Sequence, residues 1–353
     1  MTEMLAFLGA FVATVLAIPV LLRKAPGWGL LAVASGRRIH QGEVPLIGGI
    51  VMGGVFLAAY GGLAVSGGVG VRAGLAAAIV IVLVGGVIDD LYELRSMAKF
   101  GFQILAATAL IYLDGSVLLH LGQLLGERLF TLGIWAAPLT VFAVVGVMNA
   151  FNMADGIDGL AGTVSLLALL AYGVFAAVAG EPAVFVVACL GVAVTGGFLC
   201  FNARIPSRPK AIVFMGDTGS QFLGLLLAWC AIRLHNAEPP AFNAVTAGWS
   251  LGVVLGDTLC VMLRRLARGT SPFSGDREHL HHLLTAAGLS VSQTVAVIGG
   301  LSVASGAVAC LAERQGVPAY FVFYAYLVLL AAYCFVSEYA CRRLGVRRPR
   351  GSP

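Results

Sequence analysis

Eleven stretches of this chain, each of 15 residues or more, are nearly free of Asp, Glu, Lys and Arg. They fall at about 4–22, 46–66, 71–88, 100–114, 131–148, 160–179, 183–200, 218–234, 244–263, 290–310 and 318–340. A helix needs about 20 apolar residues to cross bilayer hydrocarbon at ~1.5 Å per residue. The runs are continuous rather than alternating, which excludes barrel strands. Of the 353 residues 59% are hydrophobic and 11% charged, too little polar surface to coat a soluble core of this size. A soluble enzyme, a disordered chain and a nucleic-acid-binding domain are therefore excluded. The expected fold class is all-α, a polytopic membrane protein with about 11 transmembrane helices. One integral-membrane domain, 1–341, would precede a basic tail, 342–353. The first run carries Glu3 and no basic flank, so it reads as a retained span, not a cleaved leader. The seven cysteines show no CxxC and read as buried inert thiols.

Eleven spans place the termini on opposite sides. On that layout 18 of the 22 Lys and Arg residues gather on one face, leaving Arg72, Arg128, Arg233 and Arg314 on the other. The positive-inside rule makes the crowded face cytoplasmic, with the N-terminus outside and the C-terminus cytoplasmic. Eleven of the 17 acids share that face, which positive-inside sorting does not require. Asp257 is the one polar residue singled out within a span. A transporter would be expected to place polar groups at mid-membrane and on both sides, so the pattern reads as an interfacial enzyme.

Four segments of this face carry the polar chemistry. Asp89-Asp90 closes the third span, and such a pair needs a cation, for which Lys99 is the near candidate. Asn149, Asn152, Asp155 and Asp158 recur every third residue beside Gly156 and Gly159, hard oxygen donors suited to Mg²⁺ or sugar hydroxyls. Phe214–Ser220 places Asp217 where a helix begins, after Asn202 and the basic stretch Arg204–Lys210. A helix N-terminus favours phosphate and Asp217 repels it, and a metal ion between them reconciles the two. The last segment runs from Arg264 and Arg265 to His279, His281 and His282. Without Cys or an H-E-x-x-H pattern, its imidazoles suit phosphate or sugar better than zinc. Asp257 should face a polar cavity or find a partner, and a structural pair and a catalytic role stay open for it.

These segments, in this order, resemble the polyprenyl-phosphate N-acetylhexosamine-1-phosphate transferases, glycosyltransferase family 4. The resemblance also covers Arg37-Arg38-Ile39-His40 and Pro45-Leu46-Ile47-Gly48-Gly49. One departure is Leu31–Ser35, where the family usually carries Asp-x-Pro. The Ser271–His282 loop looks more like the branch that starts O-antigen, enterobacterial common antigen or wall polymers than like the peptidoglycan branch that uses UDP-MurNAc-pentapeptide. The resemblance implies transfer of GlcNAc-1-phosphate from UDP-GlcNAc to polyprenyl phosphate, releasing UMP, at the cytoplasmic face of a bacterial inner membrane. It implies Mg²⁺, with Mn²⁺ as a substitute, held by Asp217 and Asn152. The implied catalytic set is Asp89, Asp90, Asp217 and Lys99. The implied substrate-binding set is Asn149, Asp155, Asp158, Asn202, Arg265, His279, His281, His282 and His40. Expected partners are the UDP-N-acetylhexosamine, the polyprenyl phosphate, membrane lipid and a second copy of the chain, with no nucleic acid.

Overall fold

The computed structural model describes residues 2–32, 44–67, 71–238, 240–272 and 277–346. His40, the Arg37-Arg38 pair, Asp276 and most of the basic tail lie outside the described residues. The long helices are α1 (Thr2–Leu22), α3 (Gly48–Val65), α4 (Ala73–Tyr92), α5 (Ser96–Asp114), α6 (Ala136–Ala154), α7 (Leu160–Ala179), α8 (Pro182–Asn202), α9 (Gly216–His235), α11 (Gly252–Ala267), α13 (Val291–Arg314) and α14 (Ala319–Arg343). The short ones are α2 (Ala25–Trp28), α10 (Ala244–Ser250) and α12 (Leu280–Ala286). Among the described residues the only sheet is one antiparallel pair, β1 (Leu31–Ala32) with β2 (Val44–Pro45).

Every expected span maps onto one long helix or onto α10 with α11. Among the described residues nine helices are long and apolar enough to cross a membrane, and α10 with α11 makes a tenth, bent by 80°. The run 244–263 is therefore not a straight span; it breaks at Leu251. The helix outside this count is α9, whose start carries Asp217, Thr218, Ser220 and Gln221. Seventeen of its 20 residues are buried, because α3, α4, α6, α7 and α8 surround it. Protein rather than lipid is its solvent, so it does not need lipid-level hydropathy.

Small residues let the neighbours of α9 come close. A Cβ on Gly49 of α3 would lie 2.2 Å from the Gly219 nitrogen, and one on Gly86 of α4 would lie 2.4 Å from the Thr218 Cα. Without a hydrophobic force between helices in lipid, such close backbone packing supplies much of the association energy. Backbone hydrogen bonds stitch the same region. Phe214 N donates to Pro45 O at 2.9 Å, and Gly48 N and Gly49 N donate to Phe214 O and Met215 O at 2.9 and 3.0 Å. The Pro45–Gly49 and Phe214–Ser220 motifs are thus one unit in space.

Helices at the motif end outrun their apolar runs. α4 continues to Tyr92 and α6 to Ala154, while α5 starts at Ser96. Their polar turns are tolerated there because they find one another. The opposite end is anchored by Asp114, which is buried rather than exposed in a loop. Trp229 Nε1 donates to its Oδ2 at 2.8 Å, Ser116 Oγ donates to the same oxygen, and Arg72 Nη1 donates to its carbonyl at 3.0 Å. The expectation of seven buried inert thiols holds for Cys230 and Cys341, whereas Cys200 is exposed, Cys189 and Cys310 are half-buried, and two others are paired. Cys260 and Cys334 form a disulfide that joins α11 to α14, since their Cα atoms lie 5.4 Å apart, within bonding reach.

Gly49→Ala is expected to destabilise the protein by about 1–3 kcal/mol through overpacking. Gly54→Ala, where a Cβ meets nothing within 4 Å, should leave the thermal midpoint unchanged. Thermal unfolding in detergent, followed by tryptophan fluorescence, distinguishes the two.

Candidate active site

Asp89, on the last turns of α4, is 3% exposed. Its Oδ1 accepts the Leu94 N–H at 2.8 Å and its Oδ2 lies 2.6 Å from Lys99 Nζ. Lys99, in the first turn of α5, also reaches Asp217 Oδ2 at 2.8 Å. Two carboxylates from α4 and α9 therefore share one ammonium. Asp217 Oδ1 accepts Asn152 Nδ2 at 2.9 Å, and the same amide nitrogen lies 2.9 Å from Ser220 Oγ. This brings α4, α5, α6 and α9 to one point.

The neighbouring carboxylate does something different. Asp90 Oδ1 accepts the Asp217 N–H at 2.8 Å, and its Oδ2 accepts Thr218 N and Oγ1 at 3.2 and 2.6 Å. It caps the N-terminus of α9 from another helix, satisfying amides that α9 cannot satisfy itself. Adjacent helical residues project about 100° apart, so one acid of the pair meets the lysine while the other meets the helix end.

The Asn/Asp stripe divides in the same way. Asn149 Nδ2 donates to Gln103 Oε1 at 2.7 Å, and Gln103 Nε2 donates to Gln221 Oε1 at 3.2 Å. Gln103 and Gln221 correct the expectation that the spans hold no polar residue besides Asp257. Their signal was a lone amide inside each of two apolar runs. Asp155 stands at the C-terminal end of α6. Asp158 Oδ2 accepts Arg204 Nε at 2.7 Å and Ala211 N at 3.1 Å. Asn202, 2% exposed, accepts Gly159 N at 2.8 Å and donates to Val213 O at 2.9 Å. Its amide is occupied by backbone, and it holds the α6–α7 turn against the strand-like segment before α9.

The histidines lie beyond that turn. His281, 2% exposed, packs so tightly that a Cβ on Gly156 would meet its Nε2 at 2.2 Å. That nitrogen has no hydrogen-bond partner among the described residues. Burial pushes the His281 ring down to about 3, so it is neutral at ordinary pH. His279 Nδ1 lies 2.8 Å from Asp257 Oδ2. His281 stacks on His279 with centroids 5.7 Å apart and meets His282 at 4.1 Å. Arg265, 3% exposed, donates to Pro272 O at 2.5 Å. Arg264 is tied to Ser337 Oγ at 2.6 Å and Glu278 O at 2.8 Å. α6 thus reaches the acid–lysine cluster through Asn152, and the turn that follows it meets the histidine cluster through Gly156.

A family model described as Glycosyl transferase family 4 matches residues 72–235. That stretch contains Asp89, Asp90, Lys99, Asn152 and Asp217. An undecaprenyl-phosphate alpha-N-acetylglucosaminyl 1-phosphate transferase of Haemophilus influenzae is 32% identical over 337 residues, covering 95% of this chain and 93% of that protein. Proteins of the same name from Yersinia pestis and Escherichia coli K12 are 32% and 29% identical over 344 and 338 residues, covering 96% and 92% of this chain and 90% of each relative.

Lys99→Met removes the shared cation and strands two carboxylates. Because Lys99 is only half-buried, the cost should fall below the ~3–5 kcal/mol of breaking a fully buried pair. The expected outcome is a lower thermal midpoint in detergent, whereas Lys99→Arg should recover part of the loss. For His281 the folded ring lies below its unfolded value of about 6.5, so the unfolded chain binds the extra proton. Its contribution is complete above about pH 6.5 and falls as pH drops from there toward 3. His281→Gln should flatten the fall of the melting temperature between pH 7 and pH 5.

Proposed function

The chain belongs to glycosyl transferase family 4, and from that premise we propose that it transfers N-acetylglucosamine 1-phosphate from UDP-GlcNAc to a polyprenyl phosphate. A phosphate oxygen of the lipid attacks the sugar-linked phosphorus, the bond to the bridging oxygen breaks, and UMP leaves with that oxygen. The observation that carries this reading is the convergence of Asp89 and Asp217 on Lys99 at one end of a helix bundle. Phosphoryl transfer asks for alignment and charge neutralisation more than covalent chemistry. A lysine between two acids supplies positive charge where phosphates must be brought together. It is held by the protein until an anionic substrate competes for it.

We assign orientation and deprotonation of the lipid phosphate to Asp89, with Asp90 fixing the start of α9 and so the position of Asp217. Among the described residues no three His, Cys, Asp or Glu side chains gather closely enough to cage an ion. Mg²⁺ does not need such a cage, since one or two carboxylates plus water and substrate phosphates complete its octahedron. Asp217, with Asn152 beside it, fits that requirement. Mg²⁺ bound there, or Mn²⁺ in its place, would neutralise the diphosphate charge. Asp155 at the end of α6 and His282 on α12 are assigned to the nucleotide and sugar. His279 and Arg265 belong to the same clamp.

Two further features support a lipid acceptor and an interfacial site. A cavity of about 180 Å³ lies between α6, α9 and the α10–α11 bend, running from Val147 and Leu255 at mid-bundle toward Leu118 and His235 at the end away from the site. Its walls are almost wholly apolar, suited to a segment of prenyl chain. The site end also carries the basic loops, which by positive-inside sorting face the cytoplasm of a bacterial inner membrane.

Purified protein should release UMP from UDP-GlcNAc when undecaprenyl phosphate and Mg²⁺ are present. No UMP from any of a panel of UDP-N-acetylhexosamines would overturn the reading. Asp217→Asn is expected to lower turnover by at least ~10²-fold, the scale of removing an electrostatic stabiliser, and to raise the Mg²⁺ concentration needed for half-maximal rate.

A further inference from the structure

Asp257 lies about three turns before the end of α11, in a span, where an ionised carboxylate is costly. It is 9% exposed and fully engaged. Its Oδ2 accepts His279 Nδ1 at 2.8 Å. Its Oδ1 accepts Leu280 N at 3.0 Å and the Tyr333 hydroxyl at 2.5 Å. One carboxylate therefore joins α11, the start of α12 and α14.

The pairing dictates chemistry at the histidine. An ionised carboxylate only accepts hydrogen bonds, so Nδ1 of His279 must carry its proton toward Asp257. Nε2 is then the nitrogen left for a ligand, an acceptor when the ring is neutral. A carboxylate behind an imidazole sets tautomer and ring orientation in the same way at many metal and catalytic sites. The surrounding frame is rigid. Tyr333 precedes Cys334, whose bond to Cys260 ties α14 to α11 one turn beyond Asp257. Arg268 adds bonds to Glu278 at 2.5 Å and Glu338 at 3.0 Å. Of the contacts Asp257 makes in this frame, the one to His279 Nδ1 bears on the chemistry of the histidine cluster.

We propose that Asp257 and Tyr333 are positioning residues that hold His279 with Nε2 presented to the phosphate or sugar of the UDP-sugar donor. The inference rests on the reading above, in which the histidine cluster grips that donor. Asp257 does not touch substrate; it acts through His279.

A double-mutant cycle tests it on the full-length protein in detergent, read as the Kd for UDP-GlcNAc and as kcat/KM for each substrate. Asp257→Asn keeps the shape but offers an N–H to Nδ1, which forces the proton to Nε2. It should weaken the donor parameters by about 10- to 100-fold, the scale of such supporting partners. KM for polyprenyl phosphate should stay within about twofold, within the scatter allowed for independent sites. Tyr333→Phe removes one hydrogen bond and should show the same pattern at about 3- to 10-fold. In a His279→Ala background either substitution should change the Kd by less than about twofold, because coupled residues are not additive. Undiminished effects in that background overturn the proposal. So does a parallel loss for both substrates with a lowered thermal midpoint in Tyr333→Phe, which would make the pair merely structural. Wild-type protein that releases no UMP from any donor overturns the underlying reading instead, and the inference with it.

Discussion

One ammonium group holds the site end of this bundle together. Lys99 stands 2.6 Å from Asp89 and 2.8 Å from Asp217, and those acids come from helices far apart in sequence. In a low-dielectric setting neither acid could remain ionised alone at modest cost, and the lysine would be as costly without them. The close approach of α3 and α4 to α9 through Gly49 and Gly86 is what brings the three groups within reach. Asp90, capping α9 from α4, fixes the rotation and height at which Asp217 meets the lysine. Packing, capping and charge pairing thus specify the same geometry, and a change in any one is felt by the others.

The same arrangement explains why a membrane enzyme can collect so many acids in one place. Each has a separate task at a separate contact. Asp89 and Asp217 meet the lysine, Asp90 meets backbone amides, Asp158 meets Arg204, and Asp257 meets a histidine and a tyrosine. Asp89 and Asp217 crowd each other, and the lysine that both meet offsets their repulsion.

Much of this was legible in the sequence, because lipid imposes a coarse rule. Runs without charge must be spans, and charge placed at their ends must be useful or paired. The positions of α1, α3 and α7 follow from that rule to within two or three residues. Helix ends near the site were harder. The polar turns of α4, α5 and α6 look like loops until their partners are known, and apart from the Asp89–Lys99 pair their side-chain partners across helices lie 46 to 128 residues away. For the same reason the division of labour between Asp89 and Asp90 could not be read from two adjacent letters. Gln103 and Gln221 were visible as amides within apolar runs, yet only their mutual hydrogen bond shows what they do. The break at Leu251 carries no proline, and the pairing of Cys260 with Cys334 depends on a helix crossing that no local pattern encodes.

The ties between α11 and α14 bear on how the molecule is made. Asp257, Arg264 and Arg268 enter the chain early, but Tyr333, Ser337 and Glu338 are translated some 70 residues later. Until α14 emerges, the charges of α11 have only His279, Leu280 and Glu278 as partners and lack Tyr333, Ser337 and Glu338. Its half of the bundle must wait at the membrane surface or lean on transient solvation. α14 therefore completes contacts that α11 begins, and a chain without it can pack its core around α9 and still lack a finished histidine cluster.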